Sequence, residues 1–195
     1  MAKLFRTFLA IKPSFHITKL LNNVIEDLKK QNFENTKWIS LENLHLTLVF
    51  LGLISNDLSI KYIQKLQEHF GNFAPFELKL SKIGFFGNYQ NPKIIWVGVE
   101  HNPILNDIVN QAREIASDMN IAIDNKRFKA HLTLGRDKNT SIKTISNIEM
   151  PKLITSKKTW EISKIDLMKS EIRSLKIKYK TIDQILLTSN TMRSI

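Results

Sequence analysis

The sequence predicts an α+β protein built mainly from antiparallel strands. Segments with the period-two alternation of strands and segments with helical i, i+3, i+4 stripes are both present, and their order does not repeat a strand–helix–strand unit cleanly. At 195 residues, 43% of them hydrophobic, the chain has the size and apolar content of one domain with a real core. An aromatic content of 9%, beside six Gly and five Pro, excludes a low-complexity or collagen-like chain.

Residues 4–11 are apolar apart from one Arg-Thr pair and stop at Lys12-Pro13, which predicts a mostly buried strand. Ser14 then opens a helix whose apolar positions Ile17, Leu20, Leu21, Val24 and Leu28 form one stripe, with Lys29 and Lys30 at the negative end of its dipole. A polar connection leads to Trp38. Residues 44–51 read as a strand stopped by Gly52, and Leu58, Tyr62, Ile63, Leu66 and Phe70 as a second helix punctuated by Gly71. Residues 75–80 alternate with period two, and 84–92 read as a turn-rich link to an antiparallel partner at 94–99.

Asn102-Pro103 supplies an N-cap and a first-turn proline for a third helix carrying Ile104, Leu105, Ile108, Val109, Ala112, Ile115, Ala116 and Met119. A short strand near 121–123, a strand at 128–134 and a polar, Lys-rich surface excursion over 137–158 are expected next. Strands at 160–168 and 177–187 follow, for a total of about seven or eight strands and three helices.

The absence of cysteine excludes a disulfide framework, a thiolate metal site and a cysteine nucleophile, and fits a reducing compartment. No stretch has signal-peptide character or approaches the roughly 20 apolar residues of a membrane span, so a cytoplasmic location without membrane attachment is expected. A formal net charge of +11 favours a polyanion or a phosphate-bearing ligand. Charge alone does not identify that ligand, because only six of the 29 basic residues are Arg and the abundance of Lys, Asn and Ile is also what an AT-rich genome yields.

One internal echo carries chemistry. Leu44-His45-Leu46-Thr47-Leu48 recurs as Ala130-His131-Leu132-Thr133-Leu134. In a strand, residues i and i+2 share a face, so each copy presents an imidazole and a hydroxyl together while its leucines face the apolar side. Two histidines, one neutral and one protonated, are the simplest set that takes a proton from water on one side of a phosphorus atom and gives one to the leaving oxygen on the other. Two threonine hydroxyls can hold the non-bridging phosphate oxygens, and no metal is required.

His16-Ile17-Thr18 matches the same pattern but falls in the first turns of a helix, where i and i+2 diverge around the axis. A zinc site is disfavoured because no cysteine exists and neither His45 nor His131 has a regularly spaced third ligand. The Gly-x-Ser-x-Gly pattern of a serine nucleophile is absent.

These residues resemble the 2H phosphoesterases, and among them the RNA 2',3'-cyclic phosphodiesterases once called 2'-5' RNA ligases. Trp38 with residues 42–52 is similar to the first signature of that family and residues 128–136 to the second, while 6–11, 84–86 and 92–99 resemble the segments around them. Ala130 stands where the family usually has proline, and residues 174–178 lack its usual glycine before the late tyrosine, Tyr179.

The resemblance implies a single domain over residues 1–195 made of two intertwined lobes, with two pseudo-symmetric, mainly antiparallel sheets facing a central cleft and helices outside. It implies hydrolysis of RNA 2',3'-cyclic phosphate ends to 2'-phosphomonoesters by a monomer without a cofactor. His131 would be the base and His45 the acid, with the reverse open by pseudo-symmetry. Thr47 and Thr133 would grip the phosphate. Arg136 would neutralise it, although strand parity points Arg136 to the other face unless the strand kinks at Gly135. Phe8, Phe85 and Phe86 are expected chiefly in the core, with a stacking surface for a base as the alternative. The alternatives are a relative acting on small cyclic nucleotides, one that reversibly makes 2'-5' linkages, and a non-catalytic basic RNA-binding module.

Overall fold

Nine strands and three α-helices form among the described residues of the computed structural model, which are 3–31, 33, 36–88, 91–124, 126–137, 158–173 and 176–188. In chain order they are β1 (Leu4–Ile11), α1 (Phe15–Lys29), β2 (Thr36–Trp38), β3 (Leu46–Ser55), α2 (Asn56–Phe70), β4 (Phe76–Asn88), β5 (Asn91–Val99), α3 (Pro103–Asp118), β6 (His131–Asp137), β7 (Thr159–Ile162), β8 (Lys164–Arg173) and β9 (Lys176–Leu186). All recorded pairings are antiparallel. The path runs β7-β4-β5-β6-β3-β1-β8-β9, with β2 also on β6.

One pair joins the two halves of this path. β3 and β6, the strands that carry the repeated motif, meet at Leu46↔Leu132. These are the same position in the two copies, so the seam lies on a local two-fold relation. Carried one residue outward in antiparallel register, it sets His45 toward Thr133 and Thr47 toward His131. The pleat sends all four to the face opposite Leu46 and Leu132, both of which are fully buried.

That buried face is the core. Ile17, Leu21, Val24, Ile25 and Leu28 of α1 pack in one cluster with the α2 stripe, Leu105, Ile108, Val109, Ala112 and Ala116 of α3, and the inward residues of the strands. The helix termini follow the expected chemistry: the Asn102 side chain accepts from Leu105 N at 2.9 Å, and Ser55 caps α2 by accepting from Leu58 N at 3.2 Å. The Tyr62 hydroxyl donates to the Ala112 carbonyl at 2.9 Å and ties α2 to α3, and burial raises its pKa.

Several elements differ from expectation for identifiable reasons. β3 begins at Leu46 rather than 44 and does not stop at Gly52. Gly52 takes φ +69° and Leu51 is passed over between the pairs Thr7↔Gly52 and Phe8↔Phe50, so this glycine makes a bulge. Residues 84–88 are strand, and Gly84 serves close packing: a Cβ there would stand 2.3 Å from Trp96 Cη2. Residues 121–123 bury Ile121 after Asn120 turns at φ +56°, but no strand forms there. The 128–134 strand begins at His131, the 160–168 strand is two elements broken at Ser163, and the polar connection leading to Trp38 ends in the short strand β2. Residues 138–157, most of the Lys-rich stretch, lie outside the described residues.

Because Leu132 fixes the seam and has no exposed surface, Leu132→Ala is expected to lower stability by about 2–5 kcal/mol, read as a shift in the urea unfolding midpoint.

Candidate active site

The two histidines are held in the same way. His45 Nδ1 donates to the carbonyl of Asn43 at 2.7 Å, and His131 Nδ1 donates to the carbonyl of Lys129 at 2.6 Å, each two residues upstream. A carbonyl can only accept, so the proton of a neutral ring sits on Nδ1 and Nε2 is left as a lone pair. Neither Nε2 has a hydrogen-bond partner among the described residues, and neither does the hydroxyl of Thr47 or Thr133. His16 contrasts with them. It lies in the first turn of α1, with Nδ1 bonded to Ser14 Oγ at 3.0 Å and Nε2 donating to the Thr159 carbonyl at 2.8 Å, so both nitrogens are occupied.

Burial lowers the pKa of both active-face rings, and the accepting carbonyls oppose this without cancelling it. Neighbouring positive charge pushes the same way as burial. Arg136, His131 and Lys12 act on His45, and Lys129 and Arg136 act on His131. The charge of Arg136 therefore reaches both imidazoles. The register explains how: Trp96 pairs with Thr133 and Ile95 with Gly135, so Leu134 is passed over. The bulge shifts parity by one and returns Arg136 to the face of His131. A Cβ on Gly135 would stand 2.7 Å from Thr36 Cγ2, which is the close approach that leaves only glycine room here.

Each imidazole also sits among aromatic rings. Phe8 lies 5.0 Å and Tyr179 4.9 Å from the His45 ring, and the two contact each other edge-on at 5.2 Å. Phe86 meets His131 edge-on at 4.8 Å, with Trp96 behind it at 6.2 Å. Lys129 closes this second group with its ammonium 4.3 Å from the Trp96 ring centre. Phe8 is buried with Ala10 and Met168 in a small cluster of its own, so it packs as expected, but on the face that carries His45 rather than in the main core. Phe85 packs against the main core.

Tyr179 arrives by way of Asn43. The Asn43 side chain donates to the Ile177 carbonyl at 3.0 Å and accepts from Tyr179 N at 3.1 Å, while its own carbonyl holds His45. Sequence reasoning noticed Tyr179 only as the late tyrosine of a resemblance, and it missed Asn43, Lys129 and Lys12. Asn43 and Lys129 each stand in plain view two residues before a motif histidine, whereas Lys12 and Tyr179 reach the site by pairing across the sheet. Among the described residues no group of three or more His, Cys, Asp or Glu is placed to hold a metal ion, and no helix is long and apolar enough to cross a membrane.

An antiparallel α+β fold with two imidazoles, two hydroxyls and a guanidinium gathered on one face defines a phosphoryl-site protein. Comparison with known proteins agrees with that class. The model of the LigT-like phosphoesterases matches residues 11–96. An RNA 2',3'-cyclic phosphodiesterase of Aquifex aeolicus is 30% identical over 180 residues, covering 89% of this chain and 94% of the relative. One from Thermotoga maritima is 32% identical over 133 residues, covering 68% and 70%. Among solved structures, TT0787 of Thermus thermophilus has a TM-score of 0.78 at 22% identity over 93% of this chain and 97% of that one. Apo LigT of E. coli has a TM-score of 0.73 at 23% identity over 95% and 99%. The chain belongs to the LigT-like phosphoesterase family of the 2H superfamily.

The tautomer is directly measurable. In ¹⁵N-resolved NMR, His45 and His131 are expected as Nδ1–H tautomers when neutral, both titrating below the ordinary imidazole value of 6.5. Nε2–H signals at these two residues would contradict the hydrogen-bond assignment.

Proposed function

We propose that this protein hydrolyses RNA ends bearing a 2',3'-cyclic phosphate to 2'-phosphomonoesters, with His45 and His131 as the acid/base pair. The observation that carries the reading is the pair of bare Nε2 atoms, each fixed by an Nδ1 bond to a carbonyl, on one face with two threonine hydroxyls that have no partner among the described residues. The relatives from Aquifex aeolicus and Thermotoga maritima are named RNA 2',3'-cyclic phosphodiesterases, which supports the substrate class.

The cyclic phosphate binds with its non-bridging oxygens on Thr47, Thr133 and Arg136. Neutral His131 takes a proton from a water molecule through Nε2 as that oxygen attacks phosphorus. The bond from phosphorus to the 3' oxygen breaks, and protonated His45 gives its Nε2 proton to that oxygen. A 2'-phosphate and a free 3'-hydroxyl leave, with His131 now charged and His45 neutral, and proton exchange with solvent resets the pair. The order of the two residues follows the resemblance. Nδ1 donates in both protonation states, so neither ring reorients during the cycle.

Each lobe of a single domain contributes one histidine in this reading, and the enzyme acts as a cytoplasmic monomer. The small-nucleotide alternative is separated from it by comparing kcat/KM on a cyclic-phosphate-terminated oligonucleotide and on the cyclic mononucleotide.

In EDTA the purified protein is expected to open a 2',3'-cyclic-phosphate end and yield the 2'-phosphate. His45→Ala and His131→Ala should each reduce kcat on the order of 10² to 10⁴-fold, whereas His16→Ala should leave it within about twofold. Equal losses at all three positions would reject the assignment.

The pH dependence follows from the shifts. Lowered pKa values mean that the acid loses its proton sooner as pH rises, so kcat/KM is expected to be bell-shaped with its alkaline midpoint below 6.5. A profile flat from about pH 5 to 8 would exclude a two-imidazole mechanism.

A further inference from the structure

The polar face carries one buried carboxylate that the hydrolysis does not use. Thr47 pairs with Ala10, Ala10 with Asp166 and Asp166 with Gln184, so these residues form one row running from the seam across β3, β1, β8 and β9. Asp166 has no exposed surface. Its Oδ1 accepts from the Thr181 hydroxyl at 3.2 Å and from Gln184 Nε2 at 2.8 Å, while Oδ2 has no partner among the described residues. A buried carboxylate favours positive charge in its surroundings.

A bulge supplies the connection. Met168 pairs with Thr181 but Leu167 with Asp183, so Ile182 is passed over and both Thr181 and Gln184 reach the face of Asp166. The Thr181 hydroxyl donates to Asp166 and accepts from Lys12 Nζ at 2.9 Å. Lys12 directly follows Ile11, the partner of Leu46, which brings it alongside His45 on the side away from Thr133 and Arg136. Its side chain is exposed, and an ammonium has three donors, of which Thr181 takes one.

The cyclic phosphate already has Thr47, Thr133 and Arg136 along the seam. Lys12 is a cation fixed in orientation on the far side of His45, where a free cyclic mononucleotide has no second phosphate to offer. An RNA end does, in the phosphodiester that joins its last nucleotide to the one before. We propose that Lys12, held by Thr181 over the buried Asp166, binds this penultimate phosphate and makes the site select an RNA end over a cyclic mononucleotide. The proposal rests on the RNA-end reading above and adds a residue that discriminates by substrate length.

Binding of the two products tests it without turnover, using a trinucleotide ending in a 2'-phosphate and a nucleoside 2'-phosphate. Lys12→Gln is expected to weaken the trinucleotide about tenfold and the mononucleotide less than about twofold, and to reduce the slope of log Kd against log salt for the trinucleotide by about 0.7. Lys12→Arg should keep the slope. Thr181→Val, which frees Lys12 but leaves its charge, should weaken the trinucleotide by a smaller factor with the slope kept. Equal weakening of both ligands by Lys12→Gln, or an unchanged slope, would overturn the proposal by leaving Lys12 only a structural partner of Asp166. Length-selective binding in a protein with no turnover would sustain the Lys12 assignment while removing the hydrolytic one.

Discussion

The arrangement depends on a single antiparallel contact, the pairing of Leu46 with Leu132. It puts identical tetrapeptides from distant parts of the chain into register at the same position, so one backbone geometry serves both. The two imidazoles and two hydroxyls follow from that parity, turning one way while the leucines between them enter the core. A one-residue slip would reverse every one of those directions, and the buried leucines oppose it.

The chemistry is set by what surrounds the rings. Burial and nearby cations both favour neutral imidazole, and the upstream carbonyls work against them by stabilising the protonated ring. In the proposed reaction a substrate phosphate adds negative charge to the same space and stabilises the protonated form of the ring that acts as acid. Both rings therefore favour the neutral form, and in the proposed reaction the anionic substrate supplies the asymmetry that acid/base catalysis requires.

Much of this was legible because it is local. The His-x-Thr parity needs only the two-residue period of a strand, and the helical stripes of α1, α2 and α3 need only the 3.6-residue period, so both survive without knowledge of partners. Glycine does not always end a strand: Gly84 makes room beneath the Trp96 indole, and Gly52 supplies the positive φ of a bulge inside β3. Residues 121–123 show that an apolar run signals burial, which a strand shares with an unpaired segment. Arg136 turns on a register skip at Leu134, and Tyr179 and Lys12 on neighbours in other strands. None of these can be seen from spacing along one segment.

Asn43 has a temporal consequence. It holds His45 through its carbonyl and, through its side-chain amide, a hairpin that leaves the ribosome 134 residues later. A nascent chain that has already paired β1 with β3 still lacks the Tyr179 wall and the strand that restrains Asn43. The surroundings of His45 are complete only once that hairpin has docked.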